Sequence, residues 1–318
     1  MNSRLRRSLL GAVLALPLLV FLLLGVSGVS RLYGIHAGLA LTEHQIQSEY
    51  SNSHSALRPL DEPAPPRPVP RILHFIPSPD ETPAQVAARD SCLRLHPTWE
   101  HKIWNDDAGR FLIATEFPWF LSTYDSLSHT VYRADALRYF VLRHAGGVVL
   151  DSNTGCRTIL EPLLYYPAWL PDHGSGRLLD TSVLGGEPEH PLWLLATSKF
   201  TAPSRFRAPL PSRYRESGPM FATHIWQAYH ASKDSSMPNL VRITSEGPEA
   251  NNVFFFATEE GSKQRKLDEK VLGWAGSHST EAAFLVIFGY AVAAGICLVI
   301  FHAFWRHRRT QKGYRVVE

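Results

Sequence analysis

The stretch that most constrains this chain is "HTVYRADALRYFVLRHAGGVVLDSN", residues 129–153. Val131, Ala134, Leu137 and Val141 recur at spacings of three and four, which predicts an amphipathic helix. Gly146 and Gly147 end it, because glycine takes up the left-handed cap geometry without a steric penalty. The apolar "VVL" that follows reads as a strand buried on both faces, and it delivers Asp151 at its end. "RILHFIP" at 71–77 suits a first buried strand and "HKIWND" at 101–106 a second. Between them Thr82 is placed to cap a helix that begins at Pro83. Residues 108–126 read as helical in parts. Strand, helix and strand in alternation imply an α/β sheet, with ligands bound outside the carboxyl ends of its strands.

Two segments lie outside that domain. Residues 8–30 and 282–301 carry no charge over 23 and 20 positions, long enough for a membrane-spanning helix at each end. Charge placement agrees. Arg4, Arg6, Arg7, Arg306, Arg308, Arg309, Lys312 and Arg315 face only Glu318 in the two tails, whereas residues 31–281 hold 24 basic and 28 acidic residues. The positive-inside rule then puts both tails in the cytoplasm and residues 31–281 on the far side, in a secretory lumen or outside the cell. A slightly acidic domain excludes nucleic acid as a partner. The expected order is a cytoplasmic tail (1–7), an anchor (8–30), a stalk (31–70), a lumenal domain (71–281), a second span (282–305) and a basic cytoplasmic tail (306–318). Five prolines between 63 and 70 stiffen the stalk. Cys297 lies in the second span, which leaves Cys92 and Cys156 either as a disulfide or as two free thiols.

On the helix, Asp135 and Arg138 share a face. With Asp151 they form a group suited to a shared crevice, and taken alone they read as a solvated ion pair. "YRADALRYFVLRHAGGVVLD" resembles the core of the family 32 glycosyltransferases, in which a DxxR…GG…DxD arrangement binds a nucleotide sugar on a GT-A fold. "GCRTILEPLLYYPAWL", "EPEHPLW" and "SGPMFATHIWQAY" are similar to the fungal mannosyl-inositol-phosphorylceramide synthase subgroup. The resemblance implies a single GT-A-like domain, a mixed sheet flanked by helices. It also implies GDP-mannose as donor, transfer with retention to a membrane glycolipid such as inositol-phosphorylceramide or to a glycan, and a divalent metal, Mn²⁺ or Mg²⁺.

Carried over by position, Asp135, Arg138, Asp151 and His74 bind the donor, and Asp151 and Asn153 hold the metal. Ser277 and His278, in the loop expected to close over the donor, are further metal candidates. The motif departs from the family at this point. It reads "DSNTGC", with Asn153 in place of the second metal carboxylate and Thr154 in place of another acid. "DTSVLG" at 180–185 puts Thr181 and Ser182 where an Asn-Asp pair is expected, with Asp180 one register away as a stand-in. An amide oxygen ligates hard cations without bringing charge, so metal binding is expected to be weakened. The alternative is a catalytically silent subunit that acts through a protein partner, an active paralogue. Trp104, Trp193 and Trp226 read as core, and "GGE" at 185–187 as a turn.

Overall fold

The computed structural model describes residues 37–54, 66–78, 80–127, 129–173, 178–200, 217–232, 234, 237–244 and 255–258, with isolated helical positions at 289 and 295. The first apolar segment, nearly all of the second, linker residues 55–65, and Ser277 with His278 lie outside the described residues. Among the described residues no helix is long and apolar enough to cross a membrane. Gly34–Glu269 forms one compact unit, and Met1–Tyr33 with Lys270–Glu318 another. All the strands and helices that follow belong to the first.

Its strands are β1 (Leu39–Thr42), β2 (Ile72–Ile76), β3 (Glu100–Ile103), β4 (Gly147–Asp151), β5 (Thr154–Cys156), β6 (Ala168–His173), β7 (Leu178–Leu179), β8 (Val183–Gly186), β9 (Val241–Thr244) and β10 (Phe256–Thr258). The helices are α1 (Glu43–Ser53), α2 (Pro83–Leu95), α3 (Asp106–Glu116), α4 (Leu121–Ser126), α5 (Thr130–Ala145), α6 (Pro191–Lys199) and α7 (Pro219–Ser232). The main sheet runs β1-β9-β6-β8-β4-β2-β3, with β7 paired to β6. Strand β8 is antiparallel to both its neighbours, and every other pairing along that path is parallel. Six strands therefore end at one edge, Asp151 among them. A separate antiparallel ribbon pairs β5 with β10.

Strand β4 is the centre of this arrangement. Val148 and Leu150 pack into one apolar layer with Leu73, Phe75 and Trp169. Val149 faces the other, with Leu137, Phe140, Trp193 and Trp226. Helix α5 differs from its expected amphipathic form. Every residue from Asp135 to Leu142 is buried, while Val131 is exposed. The helix is covered by α3 and α6 as well as by the sheet, so its middle turns have no solvent face.

The entry to β4 is fixed by backbone geometry. Gly146 caps α5 at φ +63°, and Gly147 follows at φ +95°. A Cβ on Gly147 would lie 2.6 Å from the Ile72 carbonyl oxygen and 3.1 Å from His74 Nε2, so both conformation and space demand glycine. Gly185 and Gly186 of the "GGE" stretch expected as a turn are instead the last residues of strand β8, with Glu187 just beyond it. Gly185 there leaves room for the Trp169 ring, whose Cε2 would come within 2.2 Å of an added Cβ.

Part of the segment expected as stalk is folded into the domain. Residues 39–53 form β1, which pairs with β9, and α1, whose capping box joins Thr42 to Gln45. The segment reads as polar because only Leu41, Glu43 and Ile46 of it are buried. Further on, Arg67 and Arg71 both grip Glu161, at 3.1 and 2.9 Å. That binds the end of the proline segment to the fold.

Cys92 and Cys156 form a disulfide, which resolves the alternative left open by the sequence. It ties α2 to β5, the strand that leaves the Asp151 turn. Beside it Ser91 Oγ accepts the Cys156 N–H at 2.9 Å. The bridge spans 64 residues, so removing it is expected to cost about 4 kcal/mol by the chain-entropy relation. Chemical denaturation of a Cys92→Ala, Cys156→Ala variant would measure this, and an unchanged midpoint would contradict it.

Acid is also expected to weaken the fold. Burial holds His74 down to about 3 and His190 to about 4, from an ordinary 6.5. Both stay neutral when folded and take up a proton only on unfolding, so their contribution is complete above pH 6.5 and is lost below it. Asp172, raised by burial to about 6 against the opposing Arg242, acts in the reverse sense. The net expectation is a loss on the order of 2–3 kcal/mol between pH 7 and 5. A flat stability profile over that range would count against these assignments.

Candidate functional site

The turn after β4 is closed by its own side chains. Asp151 Oδ1 accepts the Asn153 N–H at 2.9 Å and the Thr154 hydroxyl at 2.8 Å. The Asp151 N–H donates to Ser182 O at 2.8 Å, joining the turn to the start of β8. Gln85, in the first turn of α2, reaches across. Its Nε2 donates to Asn153 Oδ1 at 3.0 Å and to Ser152 Oγ at 3.3 Å, while its Oε1 accepts the Thr82 N–H at 2.8 Å. One capping-box side chain therefore serves both the helix end and the DSN turn.

Helix α5 supplies the second half of the site. Asp135 and Arg138 pair at 3.0 Å, and both are almost wholly inaccessible, at 2% and 7% exposure. The pair is therefore no solvated surface contact. Ser217 donates to the other Asp135 oxygen at 2.8 Å, bringing in the start of the "SGP" segment. Arg138 Nη1 donates to Thr181 O, and the next residue, Ser182, carries the carbonyl that receives Asp151 N–H. The structure thus wires Asp135 and Arg138 to Asp151 through two consecutive backbone carbonyls. Arg138 Nε is buried without an acceptor among the described residues.

His74 is placed differently from the donor-binding role expected of it. The Trp104 indole N–H donates to His74 Nδ1 at 3.0 Å, so the ring proton resides on Nε2 and is given to Gly146 O at 2.8 Å. Both nitrogens are used, the ring is fully buried, and its partner Gly146 lies at the opposite end of β4 from Asp151. His74 fastens the glycine entry to β2. No ring nitrogen is left for a ligand.

Asp180 does not reach out as a stand-in. Both its oxygens hold Ser182, one through its N–H at 2.8 Å and one through its hydroxyl at 2.9 Å. Among the described residues no group of three His, Cys, Asp or Glu side chains could hold a metal ion. The DSN turn offers one carboxylate with Oδ1 already accepting two hydrogen bonds, and one neutral amide oxygen shared with Gln85. Hard divalent cations favour charged oxygen ligands. This donor set does not fit a two-carboxylate metal site. Ser277 and His278 lie outside the described residues.

Two features escaped the sequence reading. Gln85 carries a signal, the Thr82-x-x-Gln85 capping box, whose second role across the fold has none. Asp172, near the carboxyl end of β6, and Arg242, the second residue of β9, lie 3.3 Å apart and become neighbours only through the parallel pairing of those strands.

Residues 83–170 match the family described as a glycosyltransferase sugar-binding region containing a DXD motif. The chain is 32% identical to an inositol phosphoceramide mannosyltransferase of Schizosaccharomyces pombe, over 70% of this chain and 66% of that one. It is 30% identical to a mannosyl phosphorylinositol ceramide synthase of Saccharomyces cerevisiae, over 73% of this chain and 62% of that one. The chain thus spans just under two thirds of the length of these relatives. A solved structure, PaToxG glycosyltransferase, overlaps 53% of this chain and 72% of its own with TM-score 0.40 at 14% identity, too little to add to the sheet order above.

Because Asp135 neutralises a buried guanidinium, Asp135→Ala is expected to destabilise the fold by about 3–5 kcal/mol, and Asp135→Ala with Arg138→Met by less. Urea unfolding of both variants measures this. Equal losses would mean the pair is not coupled.

Proposed function

Since the chain belongs to the glycosyltransferases whose sugar-binding region contains a DXD motif, we propose that it transfers mannose from GDP-mannose to inositol phosphoceramide. One observation carries this reading. The buried Asp135–Arg138 pair is wired to a carboxylate at the end of a central strand, where an α/β sheet binds its ligands. Keeping an ion pair desolvated is costly unless its geometry is fully supported, and here Ser217 and Thr181 O support it.

In this reading the Asp135–Arg138 pair, itself closed to solvent, positions the crevice beside the sugar and ribose of the donor, and the turn at Asp151 faces the diphosphate. Departure of the nucleoside diphosphate is the step that needs stabilising, and preorganised dipoles at a strand end suit it. The acceptor class rests on the names of the two fungal relatives, both of which act on inositol phosphoceramide. A lipid acceptor is consistent with apolar segments at both ends of the chain. The Cys92–Cys156 disulfide agrees with an oxidising, Golgi-type lumen. One observation favours a second reading, a silent subunit that works through a protein partner: the neutral Asn153 in the motif's second acidic position.

The full chain in detergent, given GDP-mannose and inositol phosphoceramide, is expected to form the mannosylated lipid. Asp151→Ala is expected to lower that rate by roughly 100-fold or more, as losing preorganised stabilisation of a leaving group does. Its loss in fold stability should stay near the roughly 2–3 kcal/mol of its two broken turn hydrogen bonds, from Asn153 N–H and the buried Thr154 hydroxyl. Product formation undiminished in Asp151→Ala would remove this residue from the site. No transfer by the unaltered chain would favour the silent subunit.

A further inference from the structure

The orientation of the Asn153 amide is fixed by a backbone group two hydrogen bonds away. The Thr82 N–H is only a donor, so the Gln85 atom 2.8 Å from it is Oε1. Gln85 must then present Nε2 to the DSN turn, where it lies 3.0 Å from Asn153 and 3.3 Å from Ser152. A donor there requires an acceptor. Asn153 therefore turns Oδ1 toward Gln85 and Nδ2 away from it. Asn153 is only partly buried, and its Nδ2 makes no hydrogen bond among the described residues.

We propose that Asn153 Nδ2 donates directly to a diphosphate oxygen of the nucleotide donor, so that this turn binds the donor without a divalent cation. The inference rests on the glycosyltransferase reading and names how its diphosphate is held. Charge favours it. Two carboxylates at a strand end repel a diphosphate unless a cation lies between them. With Asn153 the turn holds one carboxylate, and Asp151 Oδ1 already accepts from the Asn153 N–H and the Thr154 hydroxyl. A neutral amide removes one repulsion and adds a hydrogen bond to a charged acceptor. Gln85 is the positioning residue, because its own orientation is dictated by the cap of α2.

The test is titration of GDP and GDP-mannose into the full chain in detergent, with EDTA and with Mn²⁺. Affinity is expected to agree within about 2-fold between the two conditions, since no ligand-shell cation is removed. Asn153→Asp is expected to bind about 10-fold more weakly in EDTA and to recover with Mn²⁺, acquiring the metal dependence that the unaltered turn lacks. Asn153→Ala should lose about 10-fold in both conditions, the typical cost of a hydrogen bond to a charged group. Gln85→Glu keeps the capping box, and so the melting temperature, but forces Asn153 to turn Nδ2 toward the new carboxylate. It should lose affinity as Asn153→Ala does. Binding by the unaltered chain that falls 10-fold or more in EDTA and returns with Mn²⁺ would overturn the inference and leave the glycosyltransferase reading in place. No nucleotide binding in either condition would overturn both.

Discussion

Everything at the site depends on how β4 is held. The strand is buried on both faces, so its polar backbone has no recourse to water and must pair completely. At its start, two glycines at positive φ let the chain leave α5 and enter the sheet directly, and His74 fastens them by giving its one ring proton to Gly146 O. At its end, Asp151 N–H is the last rung to the Ser182 carbonyl, and the side chain then folds the chain back through Asn153 and Thr154. A strand fixed at both ends places one carboxylate with little freedom. That rigidity links the packed interior to the functional edge.

The Asp135–Arg138 pair follows from the same constraint. It sits in the stretch of α5 that is covered on all sides, where an unpaired charge would destabilise the fold by several kcal/mol. Partners from two parts of the chain converge on it, Ser217 and Thr181, and the residue after Thr181, Ser182, takes the Asp151 N–H. Each would be an ordinary loop residue elsewhere. Together they transmit the position of the helix to the strand end.

The sequence made the local parts of this plain and hid the long-range ones. The glycine pair, the Thr82 cap and the burial of "VVL" are each dictated within a few residues, and all appear as expected. The solvent face foreseen for α5 is missing from its middle turns, because burial on a third side comes from α3 and α6, and periodicity sees only one face at a time. Residues 39–53 read as stalk for the converse reason: a short edge strand and a mostly exposed helix bury too few side chains to leave a pattern. For His74 the family resemblance implied a donor contact, whereas the Trp104 indole and the Gly146 carbonyl claim both nitrogens from 30 and 72 residues away. No spacing rule reaches that far.

The same distinction bears on the "DSN" motif. In the sequence alone, Asn153 is a missing carboxylate, and Thr154, Thr181 and Ser182 look like further losses. The structure gives each of them a partner. Thr154 donates its hydroxyl to Asp151, Thr181 accepts from Arg138 through its carbonyl, Ser182 is held by both oxygens of Asp180, and Asn153 is oriented by Gln85. The replacements are thus hydrogen-bonded into the site rather than left unpaired. Replacing acids by neutral groups that donate lowers the negative charge of the crevice, and an anionic donor gains from this wherever no cation is present to offset that charge. The substitutions therefore form a consistent electrostatic change rather than a set of independent defects.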